Sequence, residues 1–305
     1  MTKKIGASIR SNYMEDIITK AEILIEALPY IRNFYGKTFV IKYGGSAQVK
    51  EELMESFAKD IVALNFIGIR TAIVHGGGPK ISNVMEKMGK KPAFIQGHRI
   101  TDEETMDIVE MVLGGLVNKE IVSLINSHGG KAVGLSGKDG GLINAKKKLL
   151  RKSAEEGVDE MLDIGLVGDV THIDPHILIS LEKDGFIPVI SPVGVGTKGE
   201  TLNINADYVA ASIASALKSE KLILLTDVPG IIDKKNNIIS TLTKQQIKKF
   251  IKDGTIHGGM LPKVQACLKA LEGGVSKTHI IDGRIPHCLL LEIFTKEGIG
   301  TEIQA

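Results

Sequence analysis

Thr38-Phe39-Val40-Ile41 running straight into Lys42-Tyr43-Gly44-Gly45-Ser46 is the stretch that decides the fold: a short strand-forming run that opens at once into glycine. The pattern recurs. Thr71–Val74 is followed by His75-Gly76-Gly77-Gly78-Pro79-Lys80, and Lys131–Leu135 by Ser136-Gly137-Lys138-Asp139-Gly140-Gly141. Further strand runs are Ile187–Ile190, Leu222–Thr226 and Thr278–Ile281. Between them lie helical patterns at Lys50–Phe66, Ile81–Met88, Glu103–Ser127, Asp174–Lys183, Ala206–Leu217 and Lys263–Gly273. Short β-branched runs alternating with longer helical ones predict an α/β chain with a parallel sheet covered on both faces.

In such a sheet the ligand crevice lies beyond the carboxyl ends of the strands, where these glycine loops stand. Glycine lets the main chain approach an anion closely, and its N–H groups, with the start of the next helix, cradle phosphate or carboxylate. A single loop reads equally well as a tight turn; three at strand ends favour an anion site. Composition supports a local cause. The 305 residues include 34 glycines but only 9 prolines, with no every-third-residue period, so neither collagen nor a low-complexity linker explains them.

Other classes are excluded in the same way. A formal charge of +2 and 4% aromatics give little with which to hold a nucleic-acid backbone or stack bases. Cys267 and Cys288 are too few and too far apart for a zinc cluster or disulfide framework; they read as buried thiols in a reducing, cytoplasmic compartment. No apolar run reaches the roughly 18 to 20 residues of a membrane span, and no apolar core marks a secretory signal. Lys3, Lys4, Ser8, Arg10 and Ser11, before the first acid Glu15, faintly resemble a transit peptide, but such a stretch is more often a frayed tail.

Met14–Phe34 predicts an amphipathic helix that Pro29 should kink or end. Lys146–Gly168 reads as a hairpin-like elaboration on the sheet edge, its charges a solvated face. Two motif matches are set aside. Gly194-Val195-Gly196-Thr197-Lys198-Gly199 fits a dinucleotide fingerprint, but Glu200–Ile204 follows where a helix should begin. His172 and His176 lack the metalloprotease glutamate and have Pro175 between them, so no metal is expected there. No Walker-type phosphate loop occurs.

The second half adds polar residues in apolar context. Asn203-Ile204-Asn205-Ala206-Asp207 precedes a small-residue helix, where Asn205 or Asp207 could serve as the N-cap. Leu222–Ile231 is a buried strand opening into a Pro229-Gly230 turn, and Gly258–Lys263 puts Lys263 just inside a helix start. Several glycine cradles with Lys42 at a strand end, Lys263 at a helix start and no cysteine nucleophile suit phosphoryl transfer. There the protein mainly positions reactants and neutralises charge on the transferring oxygens. A carboxylate acceptor, ionised at neutral pH, needs no general base.

Taken together, KYGGSA at Lys42–Ala47, VHGGGPK at Val74–Lys80, GHRITDEETM at Gly97–Met106, NINAD at Asn203–Asp207, LLTDVPGI at Leu224–Ile231 and GGMLPK at Gly258–Lys263 resemble the amino-acid kinase family, and within it the acetylglutamate kinases. The resemblance runs in order from about Tyr30 to the C-terminus. It implies an open αβα sandwich around a mainly parallel sheet. Residues 1–35 would be a helical arm, 36–192 a lobe binding N-acetylglutamate, and 193–305 a lobe binding ATP and the arginine effector. One sheet running through both lobes would blur that division.

The resemblance also implies that ATP phosphorylates the side-chain carboxylate of N-acetyl-L-glutamate in arginine biosynthesis. Lys42 and Lys263 would stabilise the transferring phosphoryl group, Asp207 would hold them, and Gly44 and Gly45 would offer amides to the phosphate. Gly76, Gly77, Gly78, Arg99 and Asn203 would bind substrate, a guanidinium fitting a carboxylate by two parallel hydrogen bonds. Thr226, Asp227, Gly230 and Met260 would bind the nucleotide, and Mg2+ would arrive with ATP, held chiefly by phosphates and water. In the arginine-inhibited subgroup the arms interlace dimers into a hexamer, a trimer of dimers. The inhibitor L-arginine would there meet His279, Glu292 and Gly298. A PII-type signalling protein partners some relatives. Competing readings are a glutamate 5-kinase, aspartokinase or uridylate kinase, against which the Gly97–Met106 segment speaks, and a non-catalytic arginine sensor, against which Lys42 and Lys263 speak.

Overall fold

The computed structural model describes residues 2–48, 50–152 and 160–305. Helix α1 (Thr2–Phe34) leads into β1 (Thr38–Tyr43), α2 (Glu51–Phe66), β2 (Arg70–His75) and α3 (Gly78–Lys87). A ribbon of β3 (Phe94–Ile95) and β4 (His98–Arg99) precedes α4 (Glu103–Glu110), a π-helical segment (Met111–Val117), α5 (Asn118–Ser127) and β5 (Ala132–Ser136). Then come β6 (Ile143–Lys152), β7 (Glu160–Ile173), α6 (His176–Lys183), β8 (Ile187–Ser191), β9 (Val193–Val195), β10 (Thr201–Ile204) and α7 (Ala206–Ala216). The chain closes with β11 (Lys221–Thr226), β12 (Thr241–Thr243), α8 (Lys244–Lys252), α9 (Met260–Glu272), β13 (Lys277–Asp282), α10 (Cys288–Phe294) and β14 (Thr301–Gln304).

Eight strands make one sheet in the order β12-β14-β13-β11-β1-β2-β8-β5. It is parallel from β13 to β5, and β14 runs antiparallel to β13. The sheet crosses the division at residue 192, because β1 pairs with β11 on one side and β2 on the other. Helices cover both faces, so the central strands are buried throughout and read as continuous apolar runs. Successive side chains of a strand point to opposite faces. Phe39, Ile41 and Tyr43 enter the core built with α2, α5 and α10, whereas Val40 enters the one built with α7 and α9. Lys42 shares the Val40 face, which aims it at the start of α7.

All six expected strands form, each within a residue or two of its expected limits. Other expectations are corrected. Pro29 lies inside α1 rather than ending it; Ile25, the residue whose carbonyl loses its partner, is exposed, so water can satisfy it. The Lys3–Ser11 stretch is helical from Thr2 rather than a frayed tail. Residues 146–168 do form an antiparallel hairpin, β6 with β7, but it closes with β9 and β10 into a separate four-stranded barrel instead of extending the sheet edge. The acids at 155 and 156 lie outside the described residues. Gly194 and Val195 belong to β9, and Gly196–Gly199 leads into the antiparallel strand β10 instead of opening a helix. The Glu103–Ser127 helix is interrupted by the π-helical segment.

The third glycine loop also reads differently in place. β5 is the sheet edge, three positions from β1, and the Gly137–Gly141 loop holds a short 3-10 turn over Asp139–Gly141, with Gly140 and Gly141 at positive φ. A Cβ on Gly137 would collide with the Val193 carbonyl and Ile143. This is the tight-turn use of glycine. Gly137→Ala should therefore lower stability by about 1–3 kcal/mol in thermal unfolding while leaving ligand affinities unchanged; unaltered stability would contradict the packing role.

Candidate active site

The centre of the site is one carboxylate between two ammonium groups. Asn205 caps α7 by accepting a hydrogen bond from the Asp207 N–H at 2.8 Å, which sets Asp207 in the first helical turn. Lys42, from the end of β1, brings Nζ to 2.9 Å from Asp207 Oδ1 as an ion pair outside hydrogen-bond alignment. Lys263, in the first turn of α9, donates from Nζ to Oδ2 at 3.3 Å. Burial pushes the Asp207 carboxyl up, but the two ammonium groups outweigh it and hold the group below the usual carboxylate range. Two cations against one anion leave surplus positive charge in a poorly hydrated place. An incoming anion removes that imbalance.

Two clefts meet at this cluster. The first, of about 310 Å³, is lined by Gly76, Gly77, Gly78, Arg99 and Asn203 together with Lys42, Asp207 and Lys263. The expected substrate residues are thus in one place, brought there from β2, β4 and β10. Arg99 is buried and donates to the Gly78 carbonyl at 3.0 Å and Ser82 Oγ at 2.8 Å, while Phe94 lies 4.7 Å from its guanidinium carbon. Asn203 Nδ2 reaches Thr101 Oγ1 at 3.4 Å. Gly44 and Gly45 sit beside this wall rather than in it. A Cβ on Gly44 would lie 2.5 Å from the Leu225 carbonyl and 3.5 Å from Lys42 Nζ.

The second cleft, of about 500 Å³, is lined by Asp227, Gly230, Met260 and Lys263 with a largely apolar wall that includes Val228, Pro229 and Ile256. Thr226 is not in its lining; buried at the end of β11, it donates to Asp227 Oδ1 at 3.1 Å and orients that side chain. Lys263 lines both clefts.

Sequence reasoning missed Phe94, His98 and Leu113 in the first cleft and Thr255 and His257 in the second. The β3–β4 ribbon has two residues per strand, too short for periodicity. Its signal is the Gln96-Gly97 turn, both residues at positive φ, as a two-residue hairpin loop requires.

A third cleft, of about 400 Å³, lies between the end of α1 and the C-terminal elements and gathers His279, Glu292 and Gly298. His279 Nδ1 donates to Glu292 Oε1 at 2.6 Å, and the Ile299 and Gly300 N–H groups donate to Oε2 at 2.7 and 3.1 Å. Burial raises the Glu292 carboxyl, but these bonds prevail and lower it, while burial lowers His279.

Among the described residues, no three His, Cys, Asp or Glu side chains gather into a metal cage. Asp207 is already neutralised by ammonium groups, so the donor set does not fit a protein-held ion. His172 lies in β7 and His176 opens α6. Among the described residues, no helix is long and apolar enough to cross a membrane.

The amino acid kinase family profile matches residues 37–282. The chain belongs to that family. Within it, the chain is 59% identical to an acetylglutamate kinase of Sulfurihydrogenibium sp. (strain YO3AOP1) over 95% of its own length and 99% of that protein. It is likewise 59% identical to one of Geotalea daltonii, over 96% and 100%. Among solved structures, the N-acetylglutamate synthase of Neisseria gonorrhoeae complexed with coenzyme A and N-acetyl-glutamate superposes with a TM-score of 0.80 at 27% identity, over 93% of this chain. The chain spans 63% of that synthase. The same synthase has been solved with coenzyme A and L-arginine, at a TM-score of 0.76. Giardia carbamate kinase, at 19% identity and a TM-score of 0.64, shares the fold.

If Asp207 holds the two lysines in this kinase, Asp207→Asn should lower kcat by about 100-fold or more, because both ammonium groups then repel without a counterion. Steady-state kinetics with kcat near wild type would remove Asp207 from the site.

Proposed function

We propose that the chain transfers the γ-phosphoryl group of ATP to the side-chain carboxylate of N-acetyl-L-glutamate, giving N-acetylglutamyl 5-phosphate and ADP, a step of arginine biosynthesis. The observation that carries this reading is Lys263, which lines both clefts and shares Asp207 with Lys42. The acetylglutamate kinases at 59% identity supply the acceptor.

N-acetylglutamate occupies the first cleft. Arg99 pairs with a carboxylate, and Asn203 and the Gly76–Gly78 loop take the remaining polar groups. ATP lies in the second cleft against Asp227, Gly230 and Met260, its adenine held by aliphatic walls and main-chain groups. The acceptor carboxylate is ionised and attacks without a base. Charge on the transferring oxygens is met by Lys42 and Lys263 from opposite sides and by the amides of Gly44 and Gly45. Mg2+ travels with the nucleotide, held by phosphates and water.

Regulation belongs to the third cleft. L-arginine fits between α1 and the acids Glu292, Glu297 and Glu302, with His279 and Gly298 beside it. The related synthase solved with L-arginine supports an effector of this chemistry. Ile17, Ile18, Leu24, Ile25 and Leu28 are exposed on α1, an apolar surface that pairing with a second arm would cover, in keeping with a hexamer built as a trimer of dimers. The enzyme works in the cytoplasm, where a PII-type protein is an available partner.

An ATP-consumption assay against N-acetylglutamate, glutamate, aspartate and UMP, with and without arginine, should show turnover with the first alone and inhibition by arginine. Turnover with another acceptor would overturn the assignment. Lys263→Ala should lower kcat by about 100-fold or more and leave acetylglutamate binding almost intact; an unchanged kcat takes Lys263 out of the mechanism. Deleting residues 1–28 should give an active, smaller oligomer insensitive to arginine. Sedimentation at an unchanged size would sink the linking role of the arm.

A further inference from the structure

Behind the Gly76–Gly78 loop lies a buried pair that neither cleft exposes. His75 ends β2 and Asn118 follows the π-helical segment; both are fully enclosed. His75 Nδ1 stands 3.0 Å from the Gly76 carbonyl, and Nε2 stands 3.2 Å from Asn118 Nδ2. Asn118 Nδ2 also donates to the Val189 carbonyl at 2.9 Å and lies 3.4 Å from that of Leu135. These contacts set the histidine tautomer. The Val189 carbonyl can only accept, so the amide NH2 must face it and the imidazole; Nε2 must then accept, and the ring proton must sit on Nδ1, where it is given to Gly76. Burial pushes the His75 pKa down to about 4, in keeping with a neutral ring.

A planar trans peptide points its N–H opposite to its carbonyl. With the Gly76 oxygen drawn back onto His75, the Gly77 N–H turns the other way, and among the described residues it makes no hydrogen bond. Gln48 reaches the same carbonyl only at 3.5 Å, so His75 is the closer donor. The surroundings are shaped for the pair. A Cβ on Gly134 would collide with the Asn118 side-chain oxygen, so β5 needs glycine there. The π-helical segment that precedes Asn118 also presses Leu113 and Val117 on Gly77, where a Cβ would stand 2.6 Å from Leu113 Cδ2. π-Helical insertions of this kind accompany functional sites.

We propose that His75 and Asn118 are positioning residues for the reaction: together they set the Gly76–Gly77 peptide so that the Gly77 N–H is presented to the bound acceptor. The inference rests on the reading of the first cleft as the acetylglutamate site.

Asparagine at position 75 can place an amide N–H where Nδ1 stands, whereas glutamine reaches toward Nε2 and leaves Gly76 without its donor. His75→Gln and Asn118→Leu should raise the KM for N-acetylglutamate about tenfold, with the KM for ATP within about twofold of wild type, as loss of one aligned hydrogen bond predicts. His75→Asn should recover most of the loss. Equal defects in His75→Asn and His75→Gln, or an ATP KM that moves with that of acetylglutamate, would overturn the positioning role. If Asn118→Leu fails to fold because it strands the Val189 carbonyl, the two His75 variants decide alone. Arg99→Ala separates the levels: a normal acetylglutamate KM there overturns the cleft assignment and this inference with it. A raised KM there beside a wild-type His75→Gln overturns this inference only.

Discussion

The structure turns on a single electrostatic arrangement, a buried carboxylate shared by two ammonium groups contributed from opposite halves of the sequence. Asp207 is nearly inaccessible, and a carboxylate there without partners would cost several kcal/mol. Lys42 and Lys263 supply the partners and overfill them. The surplus positive charge makes the site complete only when an anion is present. That is the condition a phosphoryl-transfer site has to meet, because charge on the transferring oxygens must be matched by groups already in place.

Everything around the cluster serves to bring those three residues together. Pairing of β1 with β11 and β2 puts Lys42 at the carboxyl edge of the sheet, and the two-residue strand period aims it toward α7. The Asn205 cap fixes the start of α7. Gly44 lets the chain after Lys42 pass the Leu225 carbonyl, a passage no other residue could make. The two clefts then open on either side of Lys263, one rich in polar groups, the other mostly apolar. The aromatic scarcity of the chain fits that second cleft, whose wall is aliphatic.

Much of this was legible in the sequence, for physical reasons. Buried parallel strands are near-continuous apolar runs, and the glycines that follow them mark close approaches of the main chain, so the six parallel strands of the sheet and the two glycine loops after β1 and β2 stood out. Asp207, Lys42 and Lys263 could be named from their motifs, though only the fold shows that they touch. The Gly137–Gly141 loop carried the same signal with a different cause, since strand order, which no local pattern encodes, puts it at the sheet edge. Likewise the barrel of β6, β7, β9 and β10 depends on contacts between distant segments. The β3–β4 ribbon was too short to show a period. His75 and Asn118 gave no warning, because a histidine at a strand end and an asparagine inside a helical pattern are each unremarkable until they face one another.

The most direct measurement is a crystal structure of the enzyme with N-acetylglutamate, MgADP and aluminium fluoride, which mimics the transferring phosphoryl group. The account predicts the fluoride group between the clefts, with the Nζ atoms of Lys42 and Lys263 on opposite sides at about 3 Å and Asp207 still bridging them. Fluoride bound elsewhere, or either lysine turned away from it, would contradict the account.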